Sequence, residues 1–281
     1  SRGGCISLKG HAQVSAVAFL PDGELVTAGG STVRAWNLET GRAEKVWRFP
    51  GAVETCCCSP DGRYIACGVV DGLVFVYEAR TWQQVAHWQA HADCGQGPLL
   101  QFFADSTYLL SAAEFSCKIW SRPTTKLINT WDTTLITSLH IAEDCTLLAV
   151  GSSTGLVTVH TLPDGCGVHQ MQAHRGEVWA VAFSPDGSLL ATASRDEPEA
   201  VKLWVADGWE LLQALKGHQG AVFDCAFSPS SGQLVTCGAD RSLRVWRRSR
   251  AGAARERREP ERGALPAAVP PAAPAAQWAE P

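Results

Sequence analysis

A bulky ring side chain closes an apolar stretch every 40 to 44 residues along this chain of 281 residues. The closing residues are Trp36, Tyr77, Trp120, His160, Trp204 and Trp246. Pro-Asp-Gly turns precede three of them, beginning at Pro21, Pro60 and Pro185, and a variant turn surrounds Pro229. A period of this length indicates a repeat architecture, in which each unit stacks on its neighbours to bury its apolar surface.

Each unit predicts four short strands. In the fifth unit, apolar stretches at 178–183, 189–193, 201–205 and 210–215 are separated by turn residues. β-branched and aromatic side chains favour strands, and Pro-Asp-Gly favours a tight reversal between them. Strands that are apolar on both sides are expected where a sheet lies between two others. No α-helix is required before residue 250.

These units resemble the WD-repeat β-propellers over residues 4–247, because Gly-His or Ala-His opens four units and Trp closes the third strand of four. The Asp of the Trp-Asp dipeptide is replaced in every unit. The resemblance implies an all-β fold with six four-stranded blades in this chain. Seven blades are commoner in the family, so an incomplete seven-bladed propeller is the alternative.

The predicted propeller covers residues 1–250. Its units are 11–50, 51–90, 91–132, 133–173, 174–217 and 218–250. Residues 4–10 match the fourth strand of a preceding unit, and we expect them to close the ring beside the strand that ends at Trp246. Residues 251–281 hold 11 Ala and 6 Pro. We therefore expect this Ala/Pro/Arg-rich tail to be disordered.

The resemblance also implies a buried hydrogen-bonded chain of His, Ser or Thr, Asp and Trp within a unit. Two units carry the full set. They are His174, Thr192, Asp196 and Trp204 in the fifth, and His218, Thr236, Asp240 and Trp246 in the sixth. The other units lack members; the third, for example, has Glu114 in the Asp region. Partial networks predict locally different packing, because a buried network stabilises only when every member is satisfied.

Composition and charge exclude several classes of function. The net charge of −4 disfavours nucleic acid as a partner, and no apolar run approaches the roughly 20 residues that span a membrane. Eleven cysteines without a C-x-x-C pair indicate reduced thiols. We expect an intracellular protein, cytoplasmic or nuclear, with no membrane partner, no cofactor, no metal and no small-molecule substrate.

Two patterns suggest chemistry but fit structure better. Residues 151–155 match G-x-S-x-G, yet a nucleophile elbow needs a helix after the turn, and the next residues predict a strand. His87, His91 and Cys94 are candidate metal ligands, but no second ligand pair completes a zinc site. The sequence therefore predicts no catalytic residues.

The remaining hypothesis is a binding surface. In the family, residues flanking the first inward aliphatic of the first strand, and the one before the turn Asp, surround the narrow end of the channel. The matching positions are Glu54, Val70, Glu177, Trp179, Arg195, Phe223 and Ala239. Trp179 and Phe223 are equivalent in adjacent units; they form a binding hot spot or pack between blades.

We therefore predict a non-catalytic scaffold or recognition module that binds other proteins. The alternative is a regulatory or sensor propeller of a larger nucleotide-hydrolysing or ubiquitin-ligase assembly.

Overall fold

The computed structural model describes residues 8–92, 94–122, 125–195, 199–248 and 278–279. These residues form six antiparallel sheets of four strands each, with one short 3-10 turn at Val70–Gly72 and no α-helix among them. The predicted all-β fold with six four-stranded sheets is confirmed.

The strands follow the chain in order, four to a sheet. Sheet 1 holds β1 (Ala16–Phe19), β2 (Leu25–Gly29), β3 (Thr32–Asn37) and β4 (Arg42–Arg48), and sheet 2 holds β5 (Val53–Cys58), β6 (Tyr64–Val69), β7 (Leu73–Glu78) and β8 (Gln84–Gln89). Sheet 3 holds β9 (Leu99–Phe102), β10 (Tyr108–Ala113), β11 (Ser116–Ser121) and β12 (Lys126–Asp132), and sheet 4 holds β13 (Ile136–Ile141), β14 (Leu147–Ser152), β15 (Leu156–Thr161) and β16 (Gly167–Gln172). Sheet 5 holds β17 (Val178–Phe183), β18 (Leu189–Ser194), β19 (Val201–Val205) and β20 (Leu211–Leu215), and sheet 6 holds β21 (Val222–Phe227), β22 (Gln233–Gly238), β23 (Leu243–Arg248) and β24 (Trp278–Ala279).

The Pro-Asp-Gly turn sets the first reversal of a sheet. Between β17 and β18, the carboxylate of Asp186 accepts hydrogen bonds from the Ser184 hydroxyl at 2.6 Å and the Ser188 backbone N–H at 3.1 Å. Gly187 has φ +68°, a conformation that glycine adopts without a side-chain clash. This local chemistry brings β17 and β18 into antiparallel register, with Phe183 opposite Leu190.

The hydrophobic core is divided among the interfaces between successive sheets. Separate clusters of buried side chains join sheets 1 and 2, 2 and 3, 3 and 4, 4 and 5, and 5 and 6. No such cluster joins sheet 6 to sheet 1 within the described ranges. The first strands of all six sheets surround one central channel, which contains a cavity of about 380 Å³. The sheets therefore follow one another around an axis, with a discontinuity between the last and the first.

The sequence-based prediction is wrong about the fourth strand of sheet 6. The structure places Trp278 and Ala279 opposite Arg248 and Arg247 of β23, where residues 4–10 were expected to pair. Residues 8–10 form no strand, and residues 4–7 lie outside the described part of the chain. Of the tail 251–281, for which disorder was predicted, the structure describes only Trp278 and Ala279, which form this short strand.

Burial of one large ring explains this correction. Trp278 is buried in the cluster of sheets 5 and 6 and contacts Phe227 edge to face, with 6.0 Å between ring centroids. The Gln213 side chain also binds both backbone groups of Trp278, accepting from its N–H at 2.8 Å and donating to its carbonyl at 2.9 Å. An Ala/Pro average over the tail conceals this single strongly apolar residue.

Candidate protein-binding site at the channel mouth

One end of the channel is formed by the entries to the first strands and the turns between the second and third strands. Backbone hydrogen bonds tie the two together in four sheets. The N–H of Val70 donates to Ala52 at 2.9 Å, that of Ser153 to Leu135 at 3.1 Å, that of Arg195 to Glu177 at 3.4 Å, and that of Ala239 to Ala221 at 2.8 Å. Each of these turns is therefore fixed next to the entry of the first strand in its own sheet.

A cavity of about 290 Å³ opens at this end between sheets 2, 3, 4 and 5. Its walls include the side chains of Glu54, Glu114, Glu177 and Trp179. We call these four residues together with Phe223 the channel mouth. Glu54 and Glu177 are half-buried and Glu114 is exposed. Three carboxylates facing one cavity create a negative potential that attracts cations.

The two aromatic rings of the channel mouth stack on each other. Trp179 of β17 and Phe223 of β21 have ring centroids 5.0 Å apart and ring planes 10° from parallel. Phe223 remains 47% exposed, and Trp179 is half-buried. The pair thus bridges sheets 5 and 6, while the Phe223 ring stays partly exposed to solvent.

Glu54 is the most firmly held of the carboxylates. It accepts a hydrogen bond from the backbone N–H of Gly97 at 2.9 Å, across the boundary between sheets 2 and 3. The neighbouring Thr55 hydroxyl donates to the Pro98 carbonyl at 2.6 Å, so two bonds fix the same loop. A positioned carboxylate loses little conformational entropy when it binds a partner.

The seven residues of the predicted surface do not all share the cavity. Glu54, Glu177 and Trp179 line it, and Phe223 stacks on Trp179. Val70, Arg195 and Ala239 lie at the same end but are not among its lining residues. Glu114 lines it and was absent from the predicted surface. The sequence signal that could have found it is its place in the Asp region of the third unit, which forms the turn between β10 and β11.

The opening histidines make hydrogen bonds within sheets 1, 3, 5 and 6, the four sheets whose units carry them. In sheet 6, His218 is bonded to Thr236 at 2.7 Å and Asp240 at 2.9 Å, and Trp246 Nε1 donates to the Thr236 hydroxyl at 3.0 Å. Asp240 also accepts from the Ser242 hydroxyl, and these hydrogen bonds hold the pKa of its carboxyl well below its usual range.

Sheet 5 makes a similar chain. His174 is bonded to Thr192 at 2.8 Å and to Ser194 at 2.9 Å, and Trp204 Nε1 donates to Thr192 at 3.0 Å. Asp196, the predicted acidic member, lies outside the described residues.

Sheet 3 holds a network that the sequence did not reveal. His91 is bonded to the hydroxyls of Ser111 at 2.9 Å and Ser116 at 3.0 Å, and Trp120 Nε1 donates to Ser111 at 2.8 Å. Ser116 thus occupies the role that Asp240 has in sheet 6. Desolvation, with the nearby charge of Lys118, lowers the pKa of His91 to about 4. His91 is therefore neutral at physiological pH.

The residues of the two patterns that suggested chemistry lie in strands and in the turns between them. Residues 151–155 form the end of β14 and the turn into β15, with no helix after them. His87 stacks on Phe75 at 5.6 Å between ring centroids, away from the bonds of His91. Among the described residues, no group of three His, Cys, Asp or Glu side chains could hold a metal ion. No described helix is long and apolar enough to cross a membrane.

Comparison with known proteins matches this architecture. A family model described as "WD domain, G-beta repeat" matches residues 5–37, 43–78, 165–197 and 209–247, which is half of the chain. The chain is 25% identical over 249 residues to eukaryotic translation initiation factor 3 subunit I of Aspergillus terreus, covering 63% of this chain and 74% of that protein. It is 31% identical over 105 residues to WD repeat-containing protein 3 of Mus musculus, covering 37% and 11%. It is 26% identical over 194 residues to apoptotic protease-activating factor 1 of Danio rerio, covering 63% and 15%.

Proposed function

We propose that this chain, which belongs to the WD repeat family, is a non-catalytic module that binds other proteins through the channel mouth. The observation that carries the proposal is the stacked pair Trp179 and Phe223, partly exposed beside the carboxylates of Glu54 and Glu177. Exposed aromatics with a charged rim are typical of binding hot spots. The rigid sheets beneath hold these groups in place without the partner.

The chemistry of the channel mouth suggests the kind of segment it binds. An aliphatic or aromatic side chain can cover the open face of Phe223, while a Lys or Arg beside it enters the cavity toward Glu54, Glu114 and Glu177. A desolvated ion pair of this kind contributes specificity as well as affinity. The expected ligand is therefore a flexible segment with a basic residue next to an apolar one.

A second candidate function places the chain within a larger machine. Its repeats are similar to a segment covering only 15% of apoptotic protease-activating factor 1, so comparable repeats occur within a much longer protein. In that case the propeller acts as the regulatory or sensor part of a nucleotide-hydrolysing or ubiquitin-ligase assembly. The two candidates differ in whether the channel mouth binds a segment on its own.

Selection from a random peptide library displayed on phage, with the full chain immobilised, tests the proposal. We expect enriched peptides to carry Lys or Arg beside an apolar residue. Phe223→Ala and Glu177→Gln should each weaken binding of such a peptide at least tenfold, which is about 1.4 kcal/mol. The matched control is Phe19→Ala, which should bind normally. Phe19 is also an exposed phenylalanine, but it is the last residue of β1, whereas Phe223 lies near the start of β21. Absence of enrichment, or equal losses in the control, would refute the proposal.

A further inference from the structure

Five of the six described sheets carry an aspartate at one position of the turn between their first and second strands. We call this turn the first turn of a sheet. In each of the five, the carboxylate accepts a hydrogen bond of 2.9 to 3.1 Å from the backbone N–H two residues further on, which closes the turn. The five residues are Asp22, Asp61, Asp105, Asp144 and Asp186.

The first turn of sheet 6 has the same backbone but a different residue at this position. The Ser231 N–H donates to the Ser228 carbonyl at 2.9 Å, as the Gly187 N–H donates to the Ser184 carbonyl at 2.8 Å in sheet 5. The residue after the aspartate position has a positive φ in all six turns, between +55° and +93°. Ser230 therefore occupies in sheet 6 the place that aspartate has in the other sheets.

Ser230 leaves this turn without the acceptor that closes the others. Gly232 is the residue whose N–H the aspartate would bind, and no residue in the described part of the chain accepts a hydrogen bond from it. The Ser230 hydroxyl instead contacts the hydroxyl of Ser228, with 3.2 Å between the two oxygens. A serine oxygen is one bond closer to the backbone than an aspartate oxygen, whereas the terminal oxygens of a phosphoserine are one bond further out.

Of the three serines in this turn, Ser230 is the accessible one. Its side chain is exposed, whereas Ser228 is half-buried and its hydroxyl accepts from the Gln233 N–H at 3.1 Å. Ser231 is buried, and its hydroxyl accepts from the Asp186 N–H at 3.0 Å. An enzyme can therefore modify Ser230 without breaking a hydrogen bond between the backbone and a side chain of this turn.

Arg248 brings positive charge to the same turn. Its backbone N–H donates to the Gly232 carbonyl at 3.2 Å. Burial raises the pKa of the neighbouring Asp186 carboxyl, but hydrogen bonds from Ser184 and Ser188 and the charge of Arg248 together lower it. The Arg248 side chain therefore lies close enough to act on anions at the first turns of sheets 5 and 6.

Sheets 2 and 3 show the same arrangement with both anions present. Asp61 and Asp105 occupy neighbouring first turns, and Asp61 forms an ion pair with Arg122 at 3.6 Å. Arg122 follows β11 as Arg248 ends β23, and its N–H donates to the turn of its own sheet in the same way, at 3.0 Å to the Thr107 carbonyl. Neighbouring first turns therefore accommodate two anions beside one arginine, and sheets 5 and 6 lack the second anion.

We propose that Ser230 is a site of phosphorylation and that its phosphate supplies the acceptor that aspartate supplies in the other five sheets. A protein kinase transfers the γ-phosphoryl group of ATP to the Ser230 Oγ. The Oγ–P bond forms, the bond from the γ-phosphorus to the bridging oxygen of ADP breaks, and the hydroxyl proton passes to the base of the kinase. The phosphate carries a charge of about −1.5 to −2 and three acceptor oxygens, which bind the Gly232 N–H and interact with Arg248.

This site is distinct from the channel mouth. The first turn of sheet 6 follows the end of β21, whereas Phe223 lies near the start of that strand. The proposal therefore does not rest on the function proposed above.

Mapping the phosphate tests whether Ser230 is modified. The full chain is incubated with ATP and an extract of cultured animal cells, and the tryptic peptide 217–241 is analysed by mass spectrometry. We expect phosphate at Ser230 and none in this peptide from Ser230→Ala. Ser188→Ala, which removes an exposed hydroxyl from the first turn of sheet 5, is the matched control and should leave the modification unchanged. Phosphate at Ser228 or Ser231 alone, or none in the peptide, overturns the proposal.

A chain with phosphoserine incorporated at position 230 during translation tests what the phosphate does. We expect its Tm to lie about 2 to 4 °C above that of the unmodified chain, because the closed turn stabilises only the folded state. Ser230→Asp should also raise Tm, and the reciprocal change Asp186→Ser should lower it. Phosphoserine at position 188 adds the same charge to the neighbouring turn away from the acceptor position, and it should not raise Tm. No rise for position 230, or an equal rise for position 188, would show that the phosphate does not replace the aspartate, against the proposal.

Discussion

Two segments of the chain have almost the same sequence in two different environments. Val14–Phe19 and Val178–Phe183 differ only at the second position, Ser15 against Trp179. Both contribute the first strand of their sheet, and both precede a Pro-Asp-Gly turn. The apolar side chains of the second segment are buried, whereas those of the first are mostly exposed. In this fold, burial is therefore decided by the neighbouring sheet and not by the sequence of the strand itself.

The comparison locates the stability of the molecule at the interfaces between sheets. In a repeat protein, each unit contributes an intrinsic term and an interface with each neighbour. Sheet 5 has two such interfaces and sheet 1 has one. Identical substitutions in the two sheets should therefore have very different costs.

The largest difference is expected for the two phenylalanines. Phe183→Ala should lower the free energy of unfolding by about 3 to 5 kcal/mol, because it leaves a cavity between sheets 4 and 5. Phe19→Ala should lower it by less than about 0.5 kcal/mol, because its ring is already mostly exposed. Urea denaturation of the two variants measures both values. Equal losses would show that Phe19 is covered in solution and would remove the basis of the comparison.

The threonines at the centre of the histidine networks should give the next largest effect. Thr192→Val deprives the buried Trp204 and His174 of their shared hydrogen-bond partner, at a cost of about 1 to 3 kcal/mol for each orphaned group. Thr27 has the same two bonds in sheet 1, to Trp36 at 2.7 Å and His11 at 2.9 Å.

His11 is only half-buried, so water can replace part of what Thr27→Val removes. We expect a smaller loss of unfolding free energy for Thr27→Val than for Thr192→Val in thermal or urea denaturation. A larger loss in sheet 1 would contradict the view that the flanking sheets set the cost.

Lowering the pH should reduce the free energy of unfolding through His91 of sheet 3, which is neutral in the folded protein. The pKa of His91 is about 4 in the folded state against an ordinary value of 6.5, so the unfolded chain takes up the proton first as pH falls. Its contribution to stability is therefore complete above pH 6.5 and is lost as pH falls from there to about 4. The loss is about 2 to 3 kcal/mol.

Comparison with a variant isolates this residue from the other groups that titrate. His91→Gln keeps a donor and an acceptor for Ser111 and Ser116 but has no proton to gain. Its unfolding free energy, measured by urea denaturation from pH 7 to pH 4, should fall less steeply than that of the unaltered chain. Parallel curves would mean that His91 does not cause the acid sensitivity.

The sequence predicts the repeats of this fold far better than their boundaries. Ring spacing and turn chemistry are local properties, and they predict six sheets of four strands. The strand at Trp278 was missed because a single buried ring determines its place, about 30 residues beyond β23. Ser116 was missed because the network motif specifies Asp, although a hydroxyl can make the same bond to His91. Glu114 was missed because it shares a cavity with Glu54 only once sheets 2 and 3 are assembled side by side.

The discontinuity itself could not be read from any strand. Val14–Phe19 has the pattern of a strand buried on both sides, because the same residues are buried in sheet 5. Neighbour identity is a long-range property, and it enters only when the sheets are assembled.

The smallest effect is expected on the face of sheet 6 that lies at the discontinuity between sheets 6 and 1. Leu243→Gln should change the free energy of unfolding by no more than about 0.5 kcal/mol, because its side chain already contacts solvent. Val201→Gln is the matched control. It places an amide between sheets 5 and 6, where no described polar group is offered to it, and should cost several times more. A loss above about 1 kcal/mol for Leu243→Gln would show that something in the chain covers Leu243, since an exposed leucine has little packing to lose.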